Sequence, residues 1–417
     1  MEVWKEYNES PWGRIPKEWD LSCVKDETDV VTDYVANGSF ASLAENVKYK
    51  SEEDYAVLIR LVDYNNQYKG DFVFIDKDAY EFLGKSKLYG DEIIISNVGA
   101  NVGTVFKCPH LKYKMSLAPN SIMVKFKGDN DFYYYWLKSR FGQHMLQSIV
   151  TGSAQPKFNK TNFRDMAIPV PPIEEQRQIG MVLKSLDDKI EVNRRINDNL
   201  EQQAQALFKS WFVDFEPFKN QPFVESELGM IPQGWRVQGL GEVSRMNAGG
   251  DKPIVISDVP TELCKVPIYS NGLDNDGLYG FTNEARIIEP AVTISARGTI
   301  GDVNLRLTPY CPIVRLISII PNPSIHVYYL YYALKNKRIE GVGTTQQQLT
   351  VPNFKREKII IPTSGVIDSF KIILEPIIKK KRVNKIESRR LAELRDTLLP
   401  RLMSGELKVN DLENNEI

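Results

Sequence analysis

The sequence has few residues of the kinds that bind metals or form disulfides. Its 417 residues include 4 cysteines and 3 histidines. The cysteines (Cys23, Cys108, Cys264 and Cys311) lie far apart and form no Cys-x-x-Cys pair, and the histidines show no spacing typical of metal ligands. Serine-nucleophile motifs of the Gly-x-Ser-x-Gly type are also absent. We therefore predict four free thiols and no metal site.

Long apolar runs and a strong net charge are absent as well. Pro, Ser, Gly and Asp interrupt the longest apolar stretch, "KIIIPTSGVIDSFKIILEPIIKKK", before it reaches the ~20 residues that a membrane span requires. The first residues, "MEVWKEYNES", do not resemble a secretory signal, so we expect a cytoplasmic protein. The sequence has 53 Lys and Arg and 54 Asp and Glu, so its formal net charge is -1. A net charge so close to zero argues against strong unaided binding to a polyanion.

The chain contains an internal repeat of two similar units. "GRIPKEW" begins at Gly13 and "GMIPQGW" at Gly229. Each is followed by an apolar run with two spaced glycines ("IIISNVGANVGTV" and "VTISARGTIGDV") and then by an aromatic segment ("YYWLK" and "YYALK"). "TGSAQPKFNKTNF" from Thr151 and "VGTTQQQLTVPNF" from Val342 share Gly, Gln, Asn and Phe at an offset of 191 positions. Identities that recur in one order indicate an internal duplication.

Each repeat divides into a globular part and a long helix. Short β-branched and aromatic runs, separated by Gly, Asn, Asp and Pro, predict mainly β globular parts. From Ile179 onward, apolar, Asn or Ala positions alternate four and three residues apart, as in a coiled-coil heptad. The second helix has matching positions with a more polar seam. The predicted seam residues are Ile179, Leu183, Leu186, Ile190, Asn193, Asn197, Leu200, Leu207, Leu374, Ile377, Asn384, Leu391 and Leu398.

These elements predict an α+β fold in which two long helices separate two similar, mainly β domains. We expect the helices to form an antiparallel coiled coil, with the domains related by a pseudo-twofold axis. The predicted boundaries are 1–170 for the first domain, 171–215 for the first helical spacer, 216–362 for the second domain and 363–417 for the second spacer.

The predicted spacer length suits a double helix. At ~1.5 Å per residue, the segment from Ile179 to Leu207 spans roughly 43 Å, which exceeds the ~34 to 36 Å of one turn of duplex DNA. Two domains of similar fold and divergent sequence on such a spacer favour a DNA target that is bipartite, asymmetric and interrupted by unread bases.

The chain resembles the specificity subunits of type I restriction-modification enzymes along nearly its whole length. The resemblance rests on the G-x-I-P-x-x-W opening of each half, the strand with spaced glycines, the Gly-Ser/Thr-x-Gln loop and "IPVPPIEEQRQI" from Ile168 to Ile179. The second half departs from the last element, because it reads "IIIPTSGVIDSF" without the double Pro or the Glu-Gln pair.

The resemblance implies two target recognition domains and a subunit that directs modification and restriction subunits to double-stranded DNA. It implies no catalysis by this chain, since S-adenosylmethionine would bind to adenine-methylating modification subunits and ATP to restriction subunits. Consistent with that implication, the sequence has no Asn/Asp-Pro-Pro-Tyr/Phe motif beside a glycine-rich cofactor loop. The alternatives are a non-catalytic structural adaptor, whose globules bind proteins on a coiled-coil spacer, and an enzyme with an unrecognised site.

Polar residues of the repeated loops are the candidates for DNA contact. Gln bonds adenine in a bidentate manner, while Ser, Thr, Asn and Lys suit phosphates or base edges. A structural role is the other interpretation, in which the glycines shape a turn and the polar side chains cap the next helix. In the glycine-spaced segments, Asn97 and Arg297 would select adenine and guanine respectively. The candidates are Asn97, Asn101, Ser153, Gln155, Lys157, Asn159, Arg297, Thr299, Thr344, Gln346, Gln347 and Gln348.

Aromatic residues at the end of the first long helix are candidates for contact with partner subunits. Phe208, Trp211 and Phe212 would dock modification subunits through four-helix packing. Anchoring of the same residues on the chain's own globule is the alternative that the sequence leaves open.

Overall fold

The computed structural model describes residues 7–339 and 348–410, and it divides into two compact units. The first unit runs to Val192 and resumes at Glu387, while the second comprises Asn193–Ile386. Each unit therefore contains one globular part and a stretch of both long helices.

The first unit is built mainly from short strands. In chain order they are β1 (Tyr7–Ser10), β2 (Gly13–Pro16), β3 (Asp20–Cys23), β4 (Thr28–Asp33), β5 (Ala56–Ile59), β6 (Val73–Ile75), β7 (Lys87–Leu88), β8 (Ile93–Ser96), β9 (Val105–Lys107), β10 (Lys114–Leu117), β11 (Ser121–Phe126) and β12 (Ala167–Val170). The helices are α1 (Phe40–Asn46), α2 (Leu61–Asn65), α3 (Lys77–Phe82), α4 (Asn130–Lys138), α5 (Arg140–Ser148), α6 (Lys160–Arg164) and the long α7 (Ile173–Phe212).

The second unit has a similar composition. Its strands are β13 (Phe223–Ser226), β14 (Gly229–Pro232), β15 (Arg236–Gly239), β16 (Ser244–Ala248), β17 (Val266–Tyr269), β18 (Leu278–Thr282), β19 (Ala291–Ile294), β20 (Val303–Arg306), β21 (Cys311–Pro312), β22 (Ile317–Pro321) and β23 (Lys358–Ile361). The helices are α8 (Leu240–Val243), α9 (Val327–Lys335), α10 (Val351–Phe354) and the long α11 (Ser364–Met403).

The two units share the strand order of one antiparallel sheet, whereas their second sheets have four and three strands among the described residues. An antiparallel sheet has the order β4-β11-β8-β9 in the first unit and β16-β22-β19-β20 in the second. A second sheet contains one parallel pair, β5 with β10 or β17 with β21. Hairpins β1-β2 and β13-β14 open the units, and pairs β3-β12 and β15-β23 close them. The predicted duplication of a β-rich domain is confirmed.

Packing explains the repeated G-x-I-P-x-x-W opening. Gly13 and Gly229 begin the second strand of each hairpin with φ of 124° and 94°, a conformation that favours glycine. Trp19 is fully buried, and its backbone N–H donates to Pro16 O at 3.0 Å. Its indole Nε1 donates to Glu175 Oε2 at 3.1 Å, which ties the hairpin to the first turn of α7. Trp235 of the second motif is also buried, and its N–H donates to Pro232 O at 3.1 Å, so the motif has a packing role in both units.

Both long helices pair within the first unit. Leu183 of α7 and Leu398 of α11 are buried in one core cluster. Arg395 Nη1 lies 2.5 Å from Asp187 Oδ1. Lys189 Nζ lies 3.6 Å from Glu387 Oε1. Residue numbers therefore increase along α7 as they decrease along α11, which shows that the two helices are antiparallel.

The second unit shows the same antiparallel direction. Asn384 Nδ2 donates to Asn197 Oδ1 at 3.0 Å, and Asn197 Nδ2 donates to Lys381 O at 3.3 Å. Glu201, one turn further along α7, pairs with Lys381, which precedes Asn384 on α11. Every predicted seam residue is buried or half-buried. Paired seam asparagines fix the register of two helices.

The ends of the helices differ slightly from the predicted spacers. Both α7 and α11 contain 40 residues. α11 ends at Met403, and Leu402 and Met403 are fully buried in the core cluster of the first unit. Part of the predicted second spacer, 363–417, therefore belongs to the packing of the first globule.

A polar clamp fastens helix α4 to the long helices of the first unit. The hydroxyl of Tyr135 donates to Asp187 Oδ2 at 2.8 Å, and the same carboxylate binds Arg395. Burial disfavours the charge on Arg395, but its hydrogen bonds to Asp187 and Asp396 raise the pKa of the guanidinium above its ordinary value.

The second unit has a clamp of the same design on different positions. The hydroxyl of Tyr332 donates to Glu201 Oε2 at 3.2 Å, and Lys335 Nζ lies 2.8 Å from Glu201 Oε1. Lys381 binds the same carboxylate from α11. Burial alone would raise the pKa of Glu201, but hydrogen bonds from the two lysines lower it to about 2.

Candidate nucleic-acid interface

The two segments singled out in the first repeat lie side by side. We call Asn97–Thr104 the glycine-spaced loop and Thr151–Asn159 the glutamine loop. Val98 forms an antiparallel bridge with Lys157, and Gly99 N donates to Pro156 O at 2.9 Å. Phe158 N donates to Asn97 O at 3.1 Å, so backbone hydrogen bonds join the loops into one surface.

Four of the predicted contact residues present free side chains on this surface. They are exposed, and their side chains make no hydrogen bond or ion pair in the part of the chain that the structure describes: Asn101, Ser153, Gln155 and Lys157. The backbone of Lys157 is held by reciprocal hydrogen bonds with Thr151 at 2.8 and 2.9 Å. A rigid turn therefore carries amide, hydroxyl and ammonium groups into solvent.

Two other candidates are occupied by the fold. Asn97 Nδ2 donates to Phe158 O at 3.1 Å, which joins the glycine-spaced loop to the glutamine loop. Asn159 Oδ1 accepts from Asn162 N at 2.8 Å and caps helix α6. For these two residues the structure shows a structural role, and their predicted contact with bases stays a prediction.

The second unit joins its corresponding loops differently. Arg297 is exposed, and its Nη2 donates to Gln348 Oε1 at 3.0 Å. Leu349 N donates to Ala296 O at 2.9 Å. Thr299 is half-buried, with a buried hydroxyl that has no hydrogen-bond partner in the described ranges. Thr344, Gln346 and Gln347 lie outside the described residues.

The backbone hydrogen bonds show which residues of the two glycine-spaced segments correspond. Phe158 and Leu349, which are 191 positions apart, donate to Asn97 O and Ala296 O respectively. Asn97 therefore corresponds to Ala296, and Arg297 corresponds to Val98. The offset between the units changes here because the glycine-spaced segment of the second unit is shorter: Ser96 N donates to Thr104 O, whereas Ser295 N donates to Asp302 O.

The predicted partner surface at the end of α7 is also corrected. Phe208 and Phe212 are each 4% exposed and lie in the core cluster of the second unit. Trp211 packs against Phe218 and Phe370, with ring centroids 6.2 and 6.0 Å apart. Phe212 lies 4.9 Å from Tyr329 of α9 and 4.8 Å from Phe370 of α11 between ring centroids, so these aromatic residues anchor α7 within the second unit.

Sequence reasoning missed two exposed residues beside these loops. Asn120 directly precedes β11 and has a φ of 65°. Arg315 lies two residues before β22 and has a φ of 63°. A Pro-Asn pair is a turn signal that marks the first of them. Val314-Arg315 carries no such signal, because β-branched and long side chains disfavour left-handed turns.

The described residues show no metal centre. Within 7–339 and 348–410, no group of three or more His, Cys, Asp or Glu side chains is arranged to hold a metal ion. All four cysteines are free thiols, and burial raises the pKa of Cys108 and Cys311. Over the same residues, no helix is both long and apolar enough to cross a membrane.

Comparison with known proteins identifies both repeats. Residues 16–202 and 232–394 match the family model described as "Type I restriction modification DNA specificity domain". The two matches together cover more than half of the chain.

Two curated relatives resemble the chain in sequence. The MjaIX type I restriction enzyme specificity subunit of Methanocaldococcus jannaschii is 27% identical over 430 residues, covering 98% of each chain. The HindI type I restriction enzyme specificity subunit of Haemophilus influenzae is 28% identical over 329 residues, covering 60% of this chain and 71% of the relative.

A solved structure has the same fold. The S subunit of a type I restriction-modification system from M. genitalium superposes with a TM-score of 0.54 at 17% identity, covering 92% of this chain and 96% of that one. At this level of identity the match concerns the fold alone.

Proposed function

Since the chain belongs to the type I restriction-modification DNA specificity domain family, we propose that it recognises an asymmetric, bipartite DNA sequence and directs modification and restriction subunits to it. One observation carries the proposal: the two units share a backbone topology and differ in the exposed side chains of corresponding loops. The first unit presents exposed Gln155 and Lys157 beside Asn101, whereas the second presents exposed Arg297, which is bonded to half-buried Gln348. Two domains that share a topology but present different side chains are suited to bind two different DNA half-sites.

The chain acts in this proposal without catalysis of its own. S-adenosylmethionine binds to the modification subunits that methylate adenine, and ATP binds to the restriction subunits. The chain has 53 basic and 54 acidic residues. Because non-specific DNA affinity depends on neutralisation of phosphates by basic residues, this near balance supports a complex in which the partner subunits add to the DNA affinity. We place the complex in the cytoplasm.

Exposed apolar positions on the long helices support a docking surface for modification subunits. Met181 and Ile372, which are 191 positions apart, are 68% and 70% exposed. Val192 and Val383 have the same offset and are 47% and 49% exposed. Each unit thus has the same pair of solvent-facing apolar side chains, which suits two copies of one partner.

Substitution of these positions tests the docking surface. We expect Met181→Ser and Ile372→Ser each to release one modification subunit and the double variant to release both, measured by native mass spectrometry of the assembled complex. Phe40→Ser is the control, because Phe40 is an apolar residue that is 82% exposed and belongs to α1 instead of the long helices. An unchanged stoichiometry in the double variant would contradict the docking surface.

Methylation mapping tests the function. The chain is expressed with its modification subunits, and methylated adenines are mapped across the genome. We expect one motif of two short, different halves separated by unread bases. Sequence-independent methylation, or no sequence-selective retention of DNA at any salt concentration in a gel-shift assay, would favour the structural adaptor instead.

A further inference from the structure

Asn120 and Arg315 occupy the same place in the two units. In the antiparallel sheets, Ile122 pairs with Ile95 and Ile317 pairs with Ile294. Each turn residue lies two positions before the paired strand residue. The strands opposite, β8 and β19, lead directly into the glycine-spaced loops. The two turns therefore stand at corresponding points beside the candidate interface.

The backbone at these turns is one that most side chains avoid. Arg315 has φ of 63°, and its neighbour Val314, a β-branched residue, has φ of 52°. Asparagine tolerates this left-handed region, but valine and arginine do so rarely. Hydrogen bonds hold the turn in place, since Val314 N and Arg315 N donate to Gly250 O and Gly249 O at 2.9 Å. Such strained non-glycine residues cluster at binding sites.

Each turn is tied to the neighbouring glycine-spaced loop. In the first unit, Asn97 N donates directly to Asn120 O at 3.0 Å. In the second unit, Asn271 bridges the two segments: its Nδ2 donates to Val314 O at 2.6 Å and its Oδ1 accepts from Ala296 N at 2.8 Å. Different contacts thus produce the same juxtaposition of turn and loop.

The side chains at these turns are available to a ligand. Asn120 and Arg315 are exposed, and neither side chain makes a hydrogen bond or ion pair within residues 7–339 and 348–410. Glycine would satisfy the backbone at both positions without strain. The long side chain of Arg315 makes no contact that stabilises the described fold. Its presence on a strained turn therefore points to a role in binding a ligand.

We infer that Asn120 and Arg315 are specificity-determining residues that read one base each, Asn120 an adenine and Arg315 a guanine. The inference rests on the proposed function and assigns residues to it. Asn bonds the N6 and N7 edge of adenine in a bidentate manner, and Arg bonds O6 and N7 of guanine. The tethered turns hold both groups in fixed positions, as selection among bases requires.

Glycine substitutions test the assignment without disturbing the turn. Arg315→Gly and Asn120→Gly remove the side chains and retain a residue that favours positive φ. Arg315→Asn places the side chain of the first unit in the second. Arg245→Ala is the matched control, because Arg245 pairs with Glu289 at 2.6 Å and lies opposite Ile320, well along the strand from the turn. Thermal melting of each complex verifies folding.

The measurement is the methylation rate of the complete modification complex on its target duplex and on every single-base variant of both halves. We expect Arg315→Gly to reduce discrimination roughly 5- to 150-fold at one guanine of one half, and Asn120→Gly to do so at one adenine of the other half. Arg315→Asn should change the preferred base at the same position. Arg245→Ala should leave every ratio unchanged.

Two results would overturn the inference. Discrimination within about twofold of the parent at every position would remove both residues from base reading. An equal loss of rate on all duplexes would assign them to phosphate contact. If the parent complex shows no sequence preference at all, the proposed function itself fails, and that result is distinct from either outcome for the variants.

Discussion

Glu201→Gln is the substitution that most directly tests how the second globule is held on the long helices. The carboxylate lies on α7, and its side chain is 18% exposed. It accepts hydrogen bonds from Lys381 of α11 and from Tyr332 of α9, and it pairs with Lys335 of α9. The substitution keeps the size of the side chain and removes its charge, so two half-buried ammonium groups lose their counterion.

The magnitude follows from the depressed pKa of Glu201. A fall from 4.5 to about 2 corresponds to about 3 kcal/mol at 1.36 kcal/mol per pKa unit. Lys335 and Lys381 are 33% and 24% exposed, so solvent screening reduces the expected loss to about 2 kcal/mol. Because the folded pKa lies below the unfolded value, this stabilisation is present above pH 4.5 and disappears as the pH falls toward 2.

Amide hydrogen exchange of α9 in the full-length chain measures the effect locally. We expect the protection of α9 in Glu201→Gln to fall by about 2 kcal/mol at pH 7 and to approach the parent value near the low end of the window. Glu225→Gln is the control, because Glu225 is exposed on β13 and its side chain makes no hydrogen bond or ion pair in the described part of the chain. A loss below about 0.5 kcal/mol, or one that does not change with pH, would refute the reasoning.

Three further expectations concern the core, the glutamine loop and the thiols. Phe212→Ala should destabilise the second unit by about 3–5 kcal/mol in urea unfolding without releasing modification subunits from assembled complexes; a dissociated but stable variant would restore the partner-surface interpretation. Asn159→Ala should cost about 1 kcal/mol through the lost cap of α6 and leave base preference unchanged, whereas Asn159→Asp should retain the stability; altered base preference would show direct reading. At pH 8 a thiol reagent should label half-buried Cys23 before Cys108 or Cys311, because burial raises the pKa of the latter two thiols and keeps them protonated; equal labelling rates would contradict their burial.

The resemblance to type I specificity subunits is confirmed by the family match, and the two β-rich domains with long helices are confirmed by the fold. These features were readable because each depends on a local pattern. Heptad spacing in α7 and the repeated turn around Trp19 and Trp235 are set by residues within a few positions of one another. The predicted DNA contacts at Asn101, Ser153, Gln155 and Lys157 stay predictions.

The sequence by itself determined the duplication, the paired helices and the family. The periodicity of apolar residues and the order of the repeated motifs can both be recognised directly in the amino-acid sequence. Only the tertiary structure decided that Phe208 and Phe212 face inward, that Arg297 corresponds to Val98, and that Asn120 and Arg315 flank the loops. The reason is physical: burial, a shortened loop and a left-handed turn depend on segments distant along the chain. The spacing of residue types within a short stretch of sequence does not indicate which distant segments pack together.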